Sequence, residues 1–114
     1  DFAILGGFTV VHQFVHIGAH SLTAMGTILL QDLPPYVTAS GNTAQPHGIN
    51  AEGLRRRDFS AETIAQVKAA YKVLYKSGLS LEEARGEIGR RVEKEPALAI
   101  LLQFLSRSGR GIIR

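Results

Sequence analysis

The chain has 114 residues, of which 45% are hydrophobic and 20% charged, so it is long enough for one domain or two small ones and too apolar for a disordered protein. It has no cysteine, which excludes a disulfide framework and a thiolate metal site. Its net charge of +3 is a mild basic excess that permits an acidic partner without selecting one, and no apolar run approaches the roughly 20 residues of a membrane span.

The first half of the chain repeats with a period of six residues. Counted from Leu5, the first position of each hexad is apolar or β-branched, and the second is small in most cases. The first positions are Leu5, Val11, Ile17, Thr23 and Leu29, and the fifth positions are Thr9, Val15, Ser21, Thr27 and Leu33. Such a repeat is typical of a parallel β-helix, in which three short strands form a coil of about eighteen residues and stacked coils bury a column of aliphatic side chains.

Fewer than two full coils are present, whereas a stable stack requires about three repeats. The chain also begins at Asp1 rather than at a methionine, and no signal peptide is recognisable. We therefore expect it to be the end of a longer β-helix. A small all-β sandwich is the alternative, but the hexads contain no hairpin signals.

Three histidines, His12, His16 and His20, are spaced four residues apart. On a helix this spacing would create a metal-binding face. In a six-residue repeat the three side chains occupy different positions of the coil, so we predict surface or pocket histidines and no metal site.

Prolines mark the end of the repeats, because Pro34 and Pro35 cannot donate hydrogen bonds to a strand ladder. The segment "YVTAS" is able to pair as a last short strand, and "QPHGIN" is expected to lead out of the β-helix. The predicted organisation is terminal β-helix coils over residues 1–45, a connecting segment over 46–59 and an α-helical domain over 60–114.

Capping signals predict three helices in the second half. Ser60 is a suitable N-cap for the first, Ser80 and Glu83 form a capping box for the second, and Pro96 suits the first turn of the third. The basic tail "SRSGRGIIR" is expected to run over the surface.

All 13 lysines and arginines lie between residue 55 and the end of the chain. The run "LRRRD" is the densest positive patch, and arginine is suited to fork-like binding of phosphate, although a solvated turn explains it equally well. Lys68 and Lys72, followed by Lys76, form a stripe on the first predicted helix. That stripe is either a solvated face or a docking surface for an acidic protein.

Four strings identify a family resemblance: "GGFTVVHQFVHIGAH", "QDLPPYVTASGN", "HGINAEGLRRRDFS" and "RSGRGIIR". Together they resemble the C-terminal part of the UDP-N-acetylglucosamine O-acyltransferases, over essentially the whole chain. The resemblance implies a left-handed parallel β-helix followed by an α-helical C-terminal domain. It also implies a cytoplasmic homotrimer with active sites between neighbouring β-helices.

The implied reaction moves an (R)-3-hydroxyacyl chain from acyl carrier protein to the 3-hydroxyl of UDP-N-acetylglucosamine, the first step of lipid A synthesis. Acyl carrier protein brings the acyl thioester, and no cofactor is implied. The general-base histidine of the family is expected upstream of Asp1, so this chain alone should be inactive.

The resemblance also assigns roles to residues of this chain. His12 and Gln13 match substrate-contacting positions, and Lys68 and Lys72 match positions linked to acyl carrier protein. The positions that hold the UDP moiety are matched by Asn50, Glu52, Arg56 and Arg57.

Met25 matches the position that measures acyl chain length in this family, where glycine admits a long chain. A methionine there shortens the pocket, so we expect a donor nearer ten carbons than fourteen. The alternative is that Met25 only fills a gap in the packing and does not select the acyl chain length.

Two other functions compete with this hypothesis. Another hexapeptide-repeat transferase would share the coils but not the Asn50–Arg57 string. A basic module that binds nucleic acid would require a recognised motif or stacking aromatic residues, and the sequence shows neither.

Overall fold

The computed structural model describes residues 2–13, 15–107 and 111–114. Within these ranges, six short strands come first and four helices follow. The strands are β1 (Ile4–Leu5), β2 (Val10–Val11), β3 (Leu22–Thr23), β4 (Ile28–Leu29), β5 (Val37–Ser40) and β6 (Gln45–Ile49). The helices are α1 (Ala51–Arg56), α2 (Ala61–Tyr75), α3 (Leu81–Arg91) and α4 (Leu98–Arg107).

Parallel coils form the first half, as the period of six predicts. Leu5 of β1 pairs with Thr23 of β3, and Val11 of β2 pairs with Leu29 of β4, so one coil takes eighteen residues. β5 then adds a third parallel strand to the face of β1 and β3. The prediction that "YVTAS" pairs as a short strand is confirmed for Val37–Ser40, which is the last parallel strand although β6 follows it.

The second coil is two residues shorter than the first. Ile17 pairs with Leu33, sixteen residues further on, and Gly18 N–H donates to the Leu33 carbonyl at 2.7 Å. The expectation that Leu33 takes the fifth position of a hexad is therefore wrong, because Leu33 occupies the inward first position. This register brings Pro35 directly over Gly18, where there is no Cβ to obstruct it.

"QPHGIN" does not leave the β-helix at once, which corrects the expectation. It forms β6, which pairs antiparallel with β5 at the edge of the sheet. Pro46 is tolerated there because an edge strand has one side without ladder partners.

The predicted caps of α2 and α3 are confirmed. The Ser60 hydroxyl accepts from Thr63 N–H, and Ser80 and Glu83 make the reciprocal bonds of a capping box. Pro96 differs slightly from expectation, because it lies in a turn that precedes α4 at Leu98 rather than inside the helix.

Ile112 and Ile113 at the end of the tail do not run over the surface, contrary to expectation, whereas Ser106, Arg107 and Arg114 are exposed. Asp32 N–H donates to the Gly111 carbonyl at 3.0 Å, and Ile113 N–H donates to the Asp32 carbonyl at 2.9 Å. Ile112 and Ile113 are 3% and 1% exposed. Two adjacent isoleucines gain more from burial than from solvation, and the edge of the coil beside Asp32 offers them backbone partners. Ser108–Arg110 of the predicted tail lie outside the described residues.

The apolar core consists of two clusters that share elements. In the first, Tyr71 of α2 and Ile113 pack with the aliphatic column of the coils. In the second, Tyr36 and Ile112 pack among the helices. No helix among the described residues has the length and apolar character needed to cross a bilayer.

Candidate functional site

A cleft of about 540 Å³ lies between the strands β1 and β3 and the helix α1. Ile4 and Leu22 supply its apolar wall. The α1 side supplies Asn50, Glu52, Arg56 and Arg57, the four residues that the family resemblance assigns to the UDP moiety. Among the described residues the lining consists of Phe2, Ala3, Ile4, His20, Leu22, Asn50, Glu52, Gly53, Arg56 and Arg57.

Asn50 fixes α1 against the coil. Its Oδ1 accepts from Gly53 N–H at 3.2 Å, which caps the helix, and its Nδ2 donates to the His20 carbonyl at 3.0 Å. Its own N–H donates to the Tyr36 carbonyl at 2.7 Å. A Cβ at Gly53 would lie 2.4 Å from Nδ2 of Asn50, so glycine is required for this contact. Both polar ends of Asn50 therefore bond to protein groups, which gives it a positioning role beside the cleft.

Glu52 lies between two arginines on the outer face of α1. Its carboxylate is 3.5 Å from Nη1 of Arg55 and 3.5 Å from Nε of Arg56. All three side chains are more than half exposed, so these ion pairs orient the guanidinium groups and add little stability. Arg55 does not line the cleft, whereas Arg56 and Arg57 do. With two arginines against one glutamate, the cleft is suited to an anion.

Aromatic rings line the end of the cleft nearest Arg57. The Phe2 and His20 rings stack with centroids 5.3 Å apart, and the Arg57 Cζ lies 3.9 Å from the centroid of Phe2. Burial lowers the pKa of His20, and the charge of Arg57 acts in the same direction, so the imidazole is neutral at pH 7. The sequence did not predict Phe2 and His20 as residues of this site. The eighteen-residue coil brings their rings together, and the placement of α1 brings them close to Arg57.

The other nominated residues lie outside this cleft. His12 and Gln13 are exposed at a coil turn, and the His12 Nδ1 is 3.0 Å from the Gln13 carbonyl oxygen. Met25, 74% exposed, lies at a different corner, in the turn that it forms with Gly26. These three residues share the outer surface of the coils and not the lining around α1.

Lys68 and Lys72 are exposed on α2, one helical turn apart, with Lys76 just beyond. Among the described residues none of the three forms an ion pair, whereas the arginines of α1 and α3 pair with glutamates on their own helices. The stripe is therefore a free positive surface within the described part of the chain.

A smaller hollow lies between His16 and α4. The His16 and Phe104 rings meet edge to face at 6.5 Å, and His16 N–H donates to the buried Asp32 carboxylate at 2.8 Å. Within residues 2–13, 15–107 and 111–114, no three histidine, aspartate or glutamate side chains are grouped so that they would hold a metal ion.

The stacked coils of short parallel strands, followed by helices, define the class of hexapeptide-repeat β-helix proteins. Within that class, the domain 2 profile of the UDP-N-acetylglucosamine O-acyltransferase family matches residues 32–113. The chain belongs to this family.

Individual relatives agree with that assignment. The chain is 53% identical over 118 aligned positions to the acyl-[acyl-carrier-protein]–UDP-N-acetylglucosamine O-acyltransferase of Burkholderia orbicola, and the match covers 100% of this chain and 45% of that protein. Among solved structures, the UDP-N-acetylglucosamine O-acyltransferase of Moraxella catarrhalis superposes with a TM-score of 0.95 at 40% identity, covering 98% of this chain and 44% of that one. The acyltransferase of Francisella novicida gives a TM-score of 0.97 at 37% identity, covering 100% and 42%. The chain thus spans less than half the length of the relatives it matches.

Proposed function

We propose that the protein containing this chain transfers an (R)-3-hydroxyacyl group from acyl carrier protein to the 3-hydroxyl of UDP-N-acetylglucosamine, the first step of lipid A synthesis. Family membership and the names of the relatives support this reaction. In the transfer, the sugar hydroxyl attacks the thioester carbonyl, its proton passes to a base and the carrier thiol leaves. No cofactor is needed, because the thioester already carries the activated acyl group.

The observation that carries the proposal is the cleft beside α1. It is lined by Asn50, Glu52, Arg56 and Arg57, the four residues that the family resemblance assigns to the UDP moiety. In the proposed complex the two guanidinium groups neutralise the diphosphate, and Glu52 accepts hydrogen bonds from the polar edge of the nucleoside. Asn50 bonds to both α1 and the His20 carbonyl, and it thereby holds Glu52 and the two guanidinium groups in place around the cleft.

The test is UDP binding to the full-length protein, measured by calorimetry. Arg56→Ala should weaken binding roughly ten- to hundredfold, because a hydrogen bond between charged partners contributes about 1.5–3 kcal/mol. Arg55→Ala is the matched control, since Arg55 pairs with the same glutamate at the same distance but does not line the cleft. Equal losses in the two variants would refute the nucleotide site and favour another hexapeptide-repeat transferase.

His12 and Gln13 are proposed to contact substrate in the assembled enzyme. In the proposed homotrimer the active sites lie between neighbouring left-handed β-helices. His12 and Gln13 would then contact substrate from a different surface than the cleft beside α1. The general-base histidine is proposed to lie upstream of Asp1, on preceding coils that cover the exposed edge of β1 and β2. On this proposal residues 1–114 alone are inactive, and the active enzyme is a cytoplasmic homotrimer.

Lys68 and Lys72 are proposed to dock acyl carrier protein. Their ammonium groups are exposed, and no carboxylate in the described part of the chain neutralises them. Charges in such a stripe act over a Debye length of about 8 Å at physiological salt, so they steer an acidic partner toward the site and make its association salt-dependent.

Met25 is proposed to set the acyl chain length near ten carbons. Its exposed side chain projects from a coil corner, where it would narrow a pocket formed between neighbouring chains. Each buried methylene contributes about 0.8 kcal/mol, whereas forcing extra methylenes into a filled cavity costs about 1–3 kcal/mol. A fourteen-carbon donor should therefore react more slowly than a ten-carbon donor by roughly one to two powers of ten.

The length preference is tested by kcat/KM for ten- and fourteen-carbon donors with the full-length enzyme. Met25→Gly should shift the preference toward fourteen carbons, because it removes the side chain that fills the pocket. Met25→Leu, which nearly conserves volume, should keep the ten-carbon preference. If the unmodified enzyme prefers the fourteen-carbon donor and Met25→Gly does not change that preference, Met25 fills a gap in the packing and does not select the acyl chain length.

A further inference from the structure

A column of stacked planar groups runs from the helical core out to the cleft. The Tyr36 and His20 rings are parallel to within 10°, with centroids 5.9 Å apart. The Phe2 ring continues the stack beyond His20, and the guanidinium of Arg57 lies against Phe2. The order of the column is therefore Tyr36, His20, Phe2 and Arg57.

The inner end of this column is firmly anchored. Tyr36 is 1% exposed, and its hydroxyl donates to the Ala97 carbonyl at 2.7 Å. Phe59 packs edge-on against both Tyr36 and His20, with centroid distances of 6.1 Å and 5.0 Å. The His20 backbone is held as well, because its carbonyl accepts from Asn50 Nδ2. Motion of His20 and Phe2 is thus restrained from the core side.

Arg57 differs from its two neighbours in the way it is held. Arg55 and Arg56 pair with Glu52, but Arg57 has no acidic partner within 4 Å among the described residues. Its guanidinium rests instead on the face of Phe2. A ring face orients a guanidinium without neutralising its charge, so its N–H groups stay available for an anion.

We infer that Phe2 and His20 are positioning residues that hold the Arg57 guanidinium over the cleft in readiness for the diphosphate of the nucleotide sugar. This inference rests on the proposed function. A side chain that is ordered before binding loses less conformational freedom on binding, so Phe2 and His20 raise affinity by ordering Arg57 before the nucleotide sugar arrives. Because His20 is neutral at pH 7, it does not repel the guanidinium it helps to place.

Steady-state kinetics of the full-length enzyme test the inference. Phe2→Leu should raise KM for UDP-N-acetylglucosamine roughly two- to fivefold, the size of an exposed cation–π contact, and leave kcat and KM for the acyl donor unchanged. Phe2→Tyr keeps the ring face and should restore the original KM. Phe104→Leu is the matched control, because Phe104 also packs against a histidine but lies outside the cleft. A KM that rises equally in Phe104→Leu, or that Phe2→Tyr does not restore, would overturn the inference.

A double-mutant cycle separates positioning from general destabilisation. In an Arg57→Ala background, Phe2→Leu should have no further effect on KM, since there is no guanidinium left to position. Additive effects would show that Phe2 acts independently of Arg57.

If Arg57→Ala itself leaves KM unchanged, the proposed nucleotide role fails at this residue. A crystal structure of the Phe2→Leu enzyme then decides the positioning claim separately. Displacement of the guanidinium from the position it has in the unmodified enzyme supports the claim, and an unmoved guanidinium overturns it.

Discussion

Gly18 is the residue on which the shortened second coil depends. A Cβ at this position would lie 2.2 Å from the Pro35 nitrogen and 2.5 Å from its Cδ, and neither atom belongs to a flexible side chain. Gly18→Ala should therefore destabilise the full-length protein by about 1–3 kcal/mol or more, measured by chemical denaturation. Gly86→Ala in α3 is the control, because its added Cβ meets no atom within 4 Å. That variant should stabilise by about 0.5–1 kcal/mol, and equal denaturation midpoints for the two variants would contradict the packing role of Gly18.

Elements defined by local chemistry were predictable from the sequence. The hexads predict the parallel coils and the eighteen-residue length of the first one, but they misplace Leu33, because its pairing with Ile17 shortens the second coil by two residues. Ser60 and the Ser80–Glu83 pair fix the starts of α2 and α3, because a cap bonds only within its own first turn. The expectations that failed involve long-range partners. β6 depends on β5, and the buried tail depends on the coil edge at Asp32.

The residues of the candidate site likewise fall into those that a local sequence signal predicts and those that only the folded chain brings together. Resemblance nominates Asn50, Glu52, Arg56 and Arg57 because these residues lie in one continuous string, and the structure places all four around one cleft. Phe2 and His20 are eighteen residues apart and carry no local signal of a shared role. Their stacking follows from the coil length, and their contact with Arg57 follows from the placement of α1, so both require the folded chain.

At the scale of the whole molecule, the tail joins the coils to the helices. Ile113 is buried in the cluster that includes the coil aliphatics and Tyr71. Its N–H bonds to Asp32 of the coil, and its carbonyl accepts from the Tyr75 hydroxyl of α2 at 2.9 Å. Beyond it, Arg114 donates to the carbonyl of Leu74 in the last turn of α2 and to that of Leu79 in the α2–α3 connection. One short segment thus bonds to both halves.

Ile113→Ala should therefore loosen both halves together. Truncating a buried isoleucine to alanine costs about 2–5 kcal/mol, and hydrogen exchange followed by mass spectrometry on the full-length protein should show faster exchange in β5 and in α2. Ile100→Ala is the matched control, since Ile100 is 44% exposed and its truncation leaves no closed cavity. Faster exchange confined to α2 would mean that the helices hold the tail without help from the coil. Faster exchange confined to β5 would mean that the coil holds the tail without help from the helices. Either result would show that the tail does not couple the two halves.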